Sequence, residues 1–177
     1  MFKNLFGNQQ SEPQMVMSEG YKNWRGMIFL VTPGQIELNI KEPNKVFGVI
    51  LDVGVKDMNS NSAFVFTTAV FANGDATFFP SPGGGVIGLG NNPQVAATSK
   101  SIVTMGQIFL ARAQPAKENS PASVSRVKFY FLTTSGLFVT EDSLKAFQSG
   151  PYGQLLGKFG QIRAVAEQMI DKRLGKK

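Results

Sequence analysis

The sequence predicts an α+β fold: one mainly antiparallel sheet of about five strands with helices packed on it, in the order α-β-β-β-α-β-β-α. Three observations point there. Residues 46 to 55 and 63 to 72 are apolar runs rich in Val and Phe, and the turn signal Asn73-Gly74 directly follows the second. Val95, Ile102, Met105, Phe109 and Ala113 then repeat at helical spacing. Beyond them the strand pattern Arg126 to Leu132 turns at Thr134-Ser135-Gly136 into Leu137 to Thr140. Strands joined by short turns pair antiparallel, whereas parallel neighbours need a crossover of a dozen or more residues. A chain of 177 residues suits a single domain with a real core. That domain is expected over residues 20 to 177, with residues 1 to 19 as a loose arm.

The arm is rich in Asn, Gln, Ser and Met with no sustained period, a composition that favours disorder, although Phe2, Leu5 and Phe6 are apolar enough to dock on a partner. From Tyr21 the apolar positions Tyr21, Trp24, Ile28 and Val31 keep helical spacing until Thr32-Pro33-Gly34 interrupts it. Met27 to Val31 alone also fits a strand, since so short a run does not settle the period. Val46 to Val55 is apolar at both parities, as a strand buried on both faces is. Ala63 to Ala72 is the next strand. Asn-Gly suits the positive φ angles of a type I′ turn, so Asp75 to Phe79 returns antiparallel. Pro80-Ser81-Pro82 ends that strand, because proline donates no ladder hydrogen bond.

The glycine-rich segment Gly83 to Gly90 follows. After it Asn92 is a capping residue and Pro93 fits the first position of a helix reaching about Ala113. Residues 114 to 121 form a polar surface loop before the second hairpin. Its strand Leu137 to Thr140 is an edge to which another chain can add. Leu155, Phe159, Ile162, Ala166 and Met169 describe a closing amphipathic helix entered through Gly150-Pro151.

This element order resembles, in topology alone, the roadblock and longin class of small sheet-and-helix modules. A nearer resemblance rests on residues 73 to 90, where Asn-Gly-Asp-Ala-Thr-Phe-Phe precedes Gly-Gly-Gly-Val-Ile-Gly. This resembles an uncharacterised bacterial family that joins Asp-Gly, a strand with an aromatic, and a Gly-Gly-Gly-x-Ile-Gly loop before a helix. Leu51-Asp52-Val53-Gly54 and the strand-turn Phe129 to Gly136 extend the likeness to about half the chain. The sequence departs from it by Pro80-Ser81-Pro82 before the glycines and by the order Asn73-Gly74-Asp75. The resemblance implies a bacterial origin and supports the fold; it implies no activity.

Composition narrows the chemistry more than any motif does. There is no cysteine, which excludes disulfides, thiolate metal sites and cysteine nucleophiles and fits a cytoplasmic location. There is no histidine, which removes the commonest general base and the commonest transition-metal ligand. The opening residues lack the apolar length of a signal peptide, and no apolar run reaches the roughly 18 to 20 residues that span a bilayer. Net charge is +6, but the cations are scattered except for Lys172, Arg173, Lys176 and Lys177. There they face the negative end of a helix dipole.

Gly83-x-Gly85-x-x-Gly88 matches the glycine spacing of a dinucleotide fingerprint, but its context differs. The helix starts later, at Pro93, and Ile108 and Phe109 stand where a ribose-binding acid belongs. No Gly-Lys-Ser/Thr makes a phosphate loop. Arg126-Val127-Lys128-Phe129-Tyr130-Phe131 has the basic and aromatic character of an RNA-binding strand without its glycine, and alternating Val127, Phe129 and Phe131 fit a core. What survives is an anion- or partner-binding surface: main-chain amides of Gly83, Gly84, Gly85, Gly88 and Gly90, with Ser81, Asn91 and Asn92, at a helix N-terminus. Asp52 and Asp75 are the carboxylates nearest the sheet and loop, and would form the acid pair of a hydrolase. The leading expectation is a non-catalytic binding domain acting on another protein or on itself as a homodimer, without cofactor, metal or nucleic acid. An anion or nucleotide module is the alternative, and a carboxylate-dependent hydrolase comes third.

Overall fold

In the computed structural model, which describes residues 12 to 175, the two apolar runs lie at the centre of one sheet. In chain order the elements are β1 (Gln14–Met15), α1 (Glu19–Phe29), β2 (Val46–Lys56), β3 (Ser62–Phe71) and β4 (Ala76–Pro80). They continue with α2 (Pro93–Phe109), β5 (Gln114–Pro115), β6 (Arg126–Thr133), β7 (Gly136–Ser143), α3 (Leu144–Ser149) and α4 (Gly153–Arg173). The sheet order is β1-β3-β2-β6-β7-β5, and β4 also pairs with β3. The β1–β3 contact is parallel and the other pairings are antiparallel.

The double-sided apolar pattern of β2 fixes the layering. Val49 and Leu51 face a core shared with α2, α3 and α4, while Ile50 faces Tyr21, Trp24 and Ile28 of α1. A strand with apolar side chains on both faces must be covered twice, so helices lie on both sides of the sheet. Ile102, Leu155, Phe159 and Ile162 are fully buried on the first side, each stabilising the fold by about 1.5 to 3 kcal/mol. Gly106 sets how near α2 approaches: a Cβ there would lie 2.7 Å from Val49 Cγ2.

The structure differs from the sequence reading in several places, each with a local cause. The sheet has seven strands rather than five, because β1 and β5 are two-residue pairings too short to leave a pattern. The short helix α3 precedes α4, which begins at Gly153 beyond Gly150-Pro151. Within the segment expected as an arm, Gln14 and Met15 lie beside Ser62 and Ala63, and Ser18 caps α1 by accepting from Tyr21 N. Phe2, Leu5 and Phe6 lie outside the described residues. At the first hairpin only Gly74 takes a positive φ, 103°, so the turn is not type I′. Instead Gly74 N bonds to Phe71 O and Asp75 N to Asn73 Oδ1, a tight turn closed by a bulged glycine. The edge expected free at Leu137 to Thr140 is partly taken, with Gln114 and Pro115 against Val139 and Phe138 and Ala116 N bonded to Leu137 O.

Candidate functional site

The glycine-rich segment closes the sheet edge beside β4. Val86 and Phe78 exchange both backbone hydrogen bonds, at 2.9 and 2.8 Å, which gives the segment a strand-like anchor. Val86 and Leu89 are buried on either side of Ile87, which is 66 % exposed. Gly83, Gly84 and Gly88 take φ values of 126°, 82° and 74°, a region that strains a residue with a Cβ. Gly85 and Gly90 are needed for space. A Cβ on Gly85 would sit 2.3 Å from the Phe79 ring, and one on Gly90 would sit 2.6 Å from Gly74 O. Phe79 in turn stacks on Trp24 at 4.2 Å, so Trp24, Phe79 and Gly85 form a continuous layer from α1 to the loop.

Several predicted donors are already engaged. Gly83 N bonds to Pro80 O, Asn91 N to Gly88 O and Asn92 N to Leu89 O. Asn92 Oδ1 caps α2 by accepting from Gln94 N at 2.9 Å and Val95 N at 3.3 Å. Ser81 is fully buried; its hydroxyl donates to Val16 O at 2.6 Å and accepts from Val65 N at 3.0 Å, which ties β1 to β3. Of the predicted residues from Ser81 to Asn92, Gly84, Asn91 and Asn92 are exposed. Five of the hollows on the surface of the described residues are well formed, and none of these five is lined by a residue from Ser81 to Asn92.

Asp52 and Asp75 are not brought together. Asp52 pairs with Thr67 in the β2–β3 register, while Asp75 bonds to Phe71 at the end of β3. Four strand steps separate those points, about 13 Å at the usual rise, beyond the roughly 5 to 9.5 Å of paired catalytic carboxylates. Asp75 is held within its own turn by Asn73 Nδ2 at 2.7 Å.

Around Asp52 lies a cluster that sequence reasoning missed. Arg25 Nη1 donates to Asp52 Oδ1 at 2.9 Å, and Arg25 Nη2 lies 2.8 Å from Asp52 Oδ2. Thr67 donates to Asp52 Oδ1 at 2.7 Å and shares a 2.8 Å hydrogen bond with Tyr21 OH. The other edge of the Arg25 guanidinium, Nε and Nη2, holds Asn119 O at 3.1 and 2.6 Å. Tyr130 OH and Lys128 Nζ donate to Ser120 O. The cluster therefore ties α1, the sheet and the 117 to 124 strap together.

Burial drives the electrostatics of the cluster. It opposes the charge on Arg25, but the Asp52 carboxylate more than offsets this and the pKa of Arg25 rises. Burial, aided by the Asp52 charge, raises Tyr21 and pushes Tyr130 up to about 12. Asp52 is 0 % exposed, and neither it nor Arg25 lines any of the five hollows. This is a buried ion pair. Two signals in the sequence mark it: an acid inside an otherwise apolar strand, and Arg25 one helical turn from Tyr21 on the buried side of α1.

The aromatic strand β6 has no free stacking face. Val127, Phe129 and Phe131 are buried against the α4 side and Tyr130 and Leu132 against α1. Among the described residues no helix is long and apolar enough to cross a membrane, and no three acidic side chains gather as a metal site. Neither a known protein family nor a curated protein nor a solved structure matches the chain. The resemblance carried by residues 73 to 90 thus remains one of local pattern.

Proposed function

We propose that this chain is a cytoplasmic, non-catalytic interaction domain whose contact surface is the glycine-rich loop and the start of α2, with a second copy as the simplest partner. One observation carries the reading: Ile87 stands 66 % exposed between the buried anchors Val86 and Leu89. An apolar side chain held outward on a backbone fixed at both ends loses little freedom when covered, which favours association. The engaged amides of Gly83, Asn91, Asn92, Gln94 and Val95 favour contact over anion capture. The closed Asp52 pair favours it over hydrolysis. The proposal includes the likeness of element order to roadblock and longin modules, a likeness of arrangement alone.

Sedimentation velocity across a wide concentration range tests it. The wild-type chain is expected to self-associate with rising concentration, and Ile87→Ser to weaken that association while leaving thermal stability unchanged. A concentration-independent monomer, or an Ile87→Ser variant that associates as the wild type does, removes the loop as the working surface.

A further inference from the structure

We infer that Asn73 is a site of spontaneous deamidation that the fold holds closed, and that its conversion to aspartate or isoaspartate loosens the joint where the first hairpin meets the glycine-rich loop and α2. The inference needs neither Ile87 nor a partner, so it stands apart from the loop reading.

Asn73-Gly74 is the one Asn-Gly step in the chain. With no Cβ on the second residue, the Gly74 nitrogen has the least hindered path to the Asn73 carboxamide carbon. In the reaction Gly74 N gives up its proton and bonds to Asn73 Cγ, the Cγ–Nδ2 bond breaks, and Nδ2 takes up a proton and leaves as ammonia. Water then opens the cyclic imide, at Cγ to give aspartate or at the main-chain carbonyl of residue 73 to give isoaspartate. Water is the one co-reactant.

The structure restrains both reacting groups. Gly74 is buried and its N–H donates to Phe71 O at 2.9 Å, so losing that proton costs a hydrogen bond in a place shielded from water. The Asn73 carboxamide is held through both of its polar atoms: Oδ1 accepts from Asp75 N at 2.9 Å and Nδ2 donates to Asp75 Oδ2 at 2.7 Å. The turn is itself clamped. Gly90 packs so near that a Cβ there would lie 2.6 Å from Gly74 O and 2.9 Å from Asp75 Cα. A Cβ on Gly74 would meet Ala96 Cβ of α2 at 3.1 Å and Lys100 Cε at 3.2 Å. Ring closure therefore waits for local opening of the hairpin, and its rate follows the open population.

Neither product fits the joint. Aspartate replaces the Nδ2 donor with an oxygen and sets two carboxylates against each other where a hydrogen bond stood. Isoaspartate lengthens the main chain by a methylene between neighbours already in contact, which is overpacking. Either change pushes the turn away from Gly90 and α2.

The full chain is incubated at mildly alkaline pH, folded and in guanidinium chloride, and conversion of Asn73 is followed by peptide mass mapping with chromatographic separation of isoaspartate. The folded protein is expected to convert Asn73 at least about tenfold more slowly than the unfolded chain, since only the opened hairpin reacts. Gly90→Ala, which drives a Cβ against Gly74 O, should speed conversion in the folded protein. Asp75→Ala, which frees Nδ2, is the second variant if Gly90→Ala does not fold. Converted protein separated by ion exchange, and Asn73→Asp as the aspartate product alone, should both melt at least about 2 °C below wild type. Equal rates in the folded and unfolded chain overturn the inference, as does a folded Gly90→Ala or Asp75→Ala variant that converts no faster than wild type. Converted protein or Asn73→Asp as stable as wild type also overturns it, because the joint then tolerates the product.

Discussion

Replacing Arg25 by methionine tests whether the buried cluster is a structural tie. Methionine keeps much of the apolar stem and removes only the guanidinium. Asp52, fully buried, then retains a single donor, the Thr67 hydroxyl at 2.7 Å, and loses the two contacts at 2.9 and 2.8 Å. Asn119 O loses both of its donors, at 3.1 and 2.6 Å. Removing one partner of a buried pair costs about 3 to 5 kcal/mol, chiefly because the other charge is stranded, a third or more of a typical domain's stability. With a urea m-value of about 2 to 3 kcal/mol/M for this size, the unfolding midpoint should fall by about 1.5 M. Adding Asp52→Leu removes the stranded charge, and the double variant should return to within about 1 kcal/mol of wild type. Equilibrium urea unfolding followed by Trp24 fluorescence measures all four proteins. A loss below about 1 kcal/mol for Arg25→Met, or a double variant as unstable as the two singles summed, would refute the account of a stranded buried charge.

Three other perturbations probe separate parts of the fold. Gly85→Ala places a Cβ 2.3 Å from the Phe79 ring and should cost about 1 to 3 kcal/mol by overpacking, with a shifted emission maximum for Trp24, which stacks on that ring; unchanged emission and stability would contradict the packing. Tyr130 holds its proton to about pH 12 in the fold against an ordinary value of 10.0. The folded state thus binds that proton more tightly, so this contribution is complete below pH 10 and fades as pH rises from 10 to 12. A spectrophotometric tyrosinate titration of wild type and Tyr130→Phe should show one late-titrating phenol missing in the variant. Asn92→Ala removes the cap on Gln94 N and Val95 N and should cost about 1 kcal/mol, read as a lower melting temperature by circular dichroism.

The local grammar of the chain carried much of the fold. Apolar residues at both parities of Val46 to Val55 require two covered faces, and the structure buries both. Asn92-Pro93 starts α2 where a cap and a φ-restricted first residue belong, and Leu155, Phe159, Ile162 and Ala166 face the core as their spacing demands. These signals depend only on neighbours a few residues apart, so they are written in the sequence. Turn type was less legible, because Asn73 turned its side chain to Asp75 N and left the positive φ to Gly74 alone.

What the sequence determined by itself is the longer elements, the double-sided burial of the central strand, and the lack of histidine and cysteine side chains, since periodicity and composition are local properties. What only the tertiary structure decided is which distant groups meet. Arg25 reaches Asp52 across 27 positions and Asn119 across 94, and no spacing rule predicts either encounter. The purpose of Gly85 was equally hidden, because it lies in the ring of Phe79 packed above it. Position in three dimensions sets burial, and burial made Asp52 a closed tie while it left Ile87 exposed.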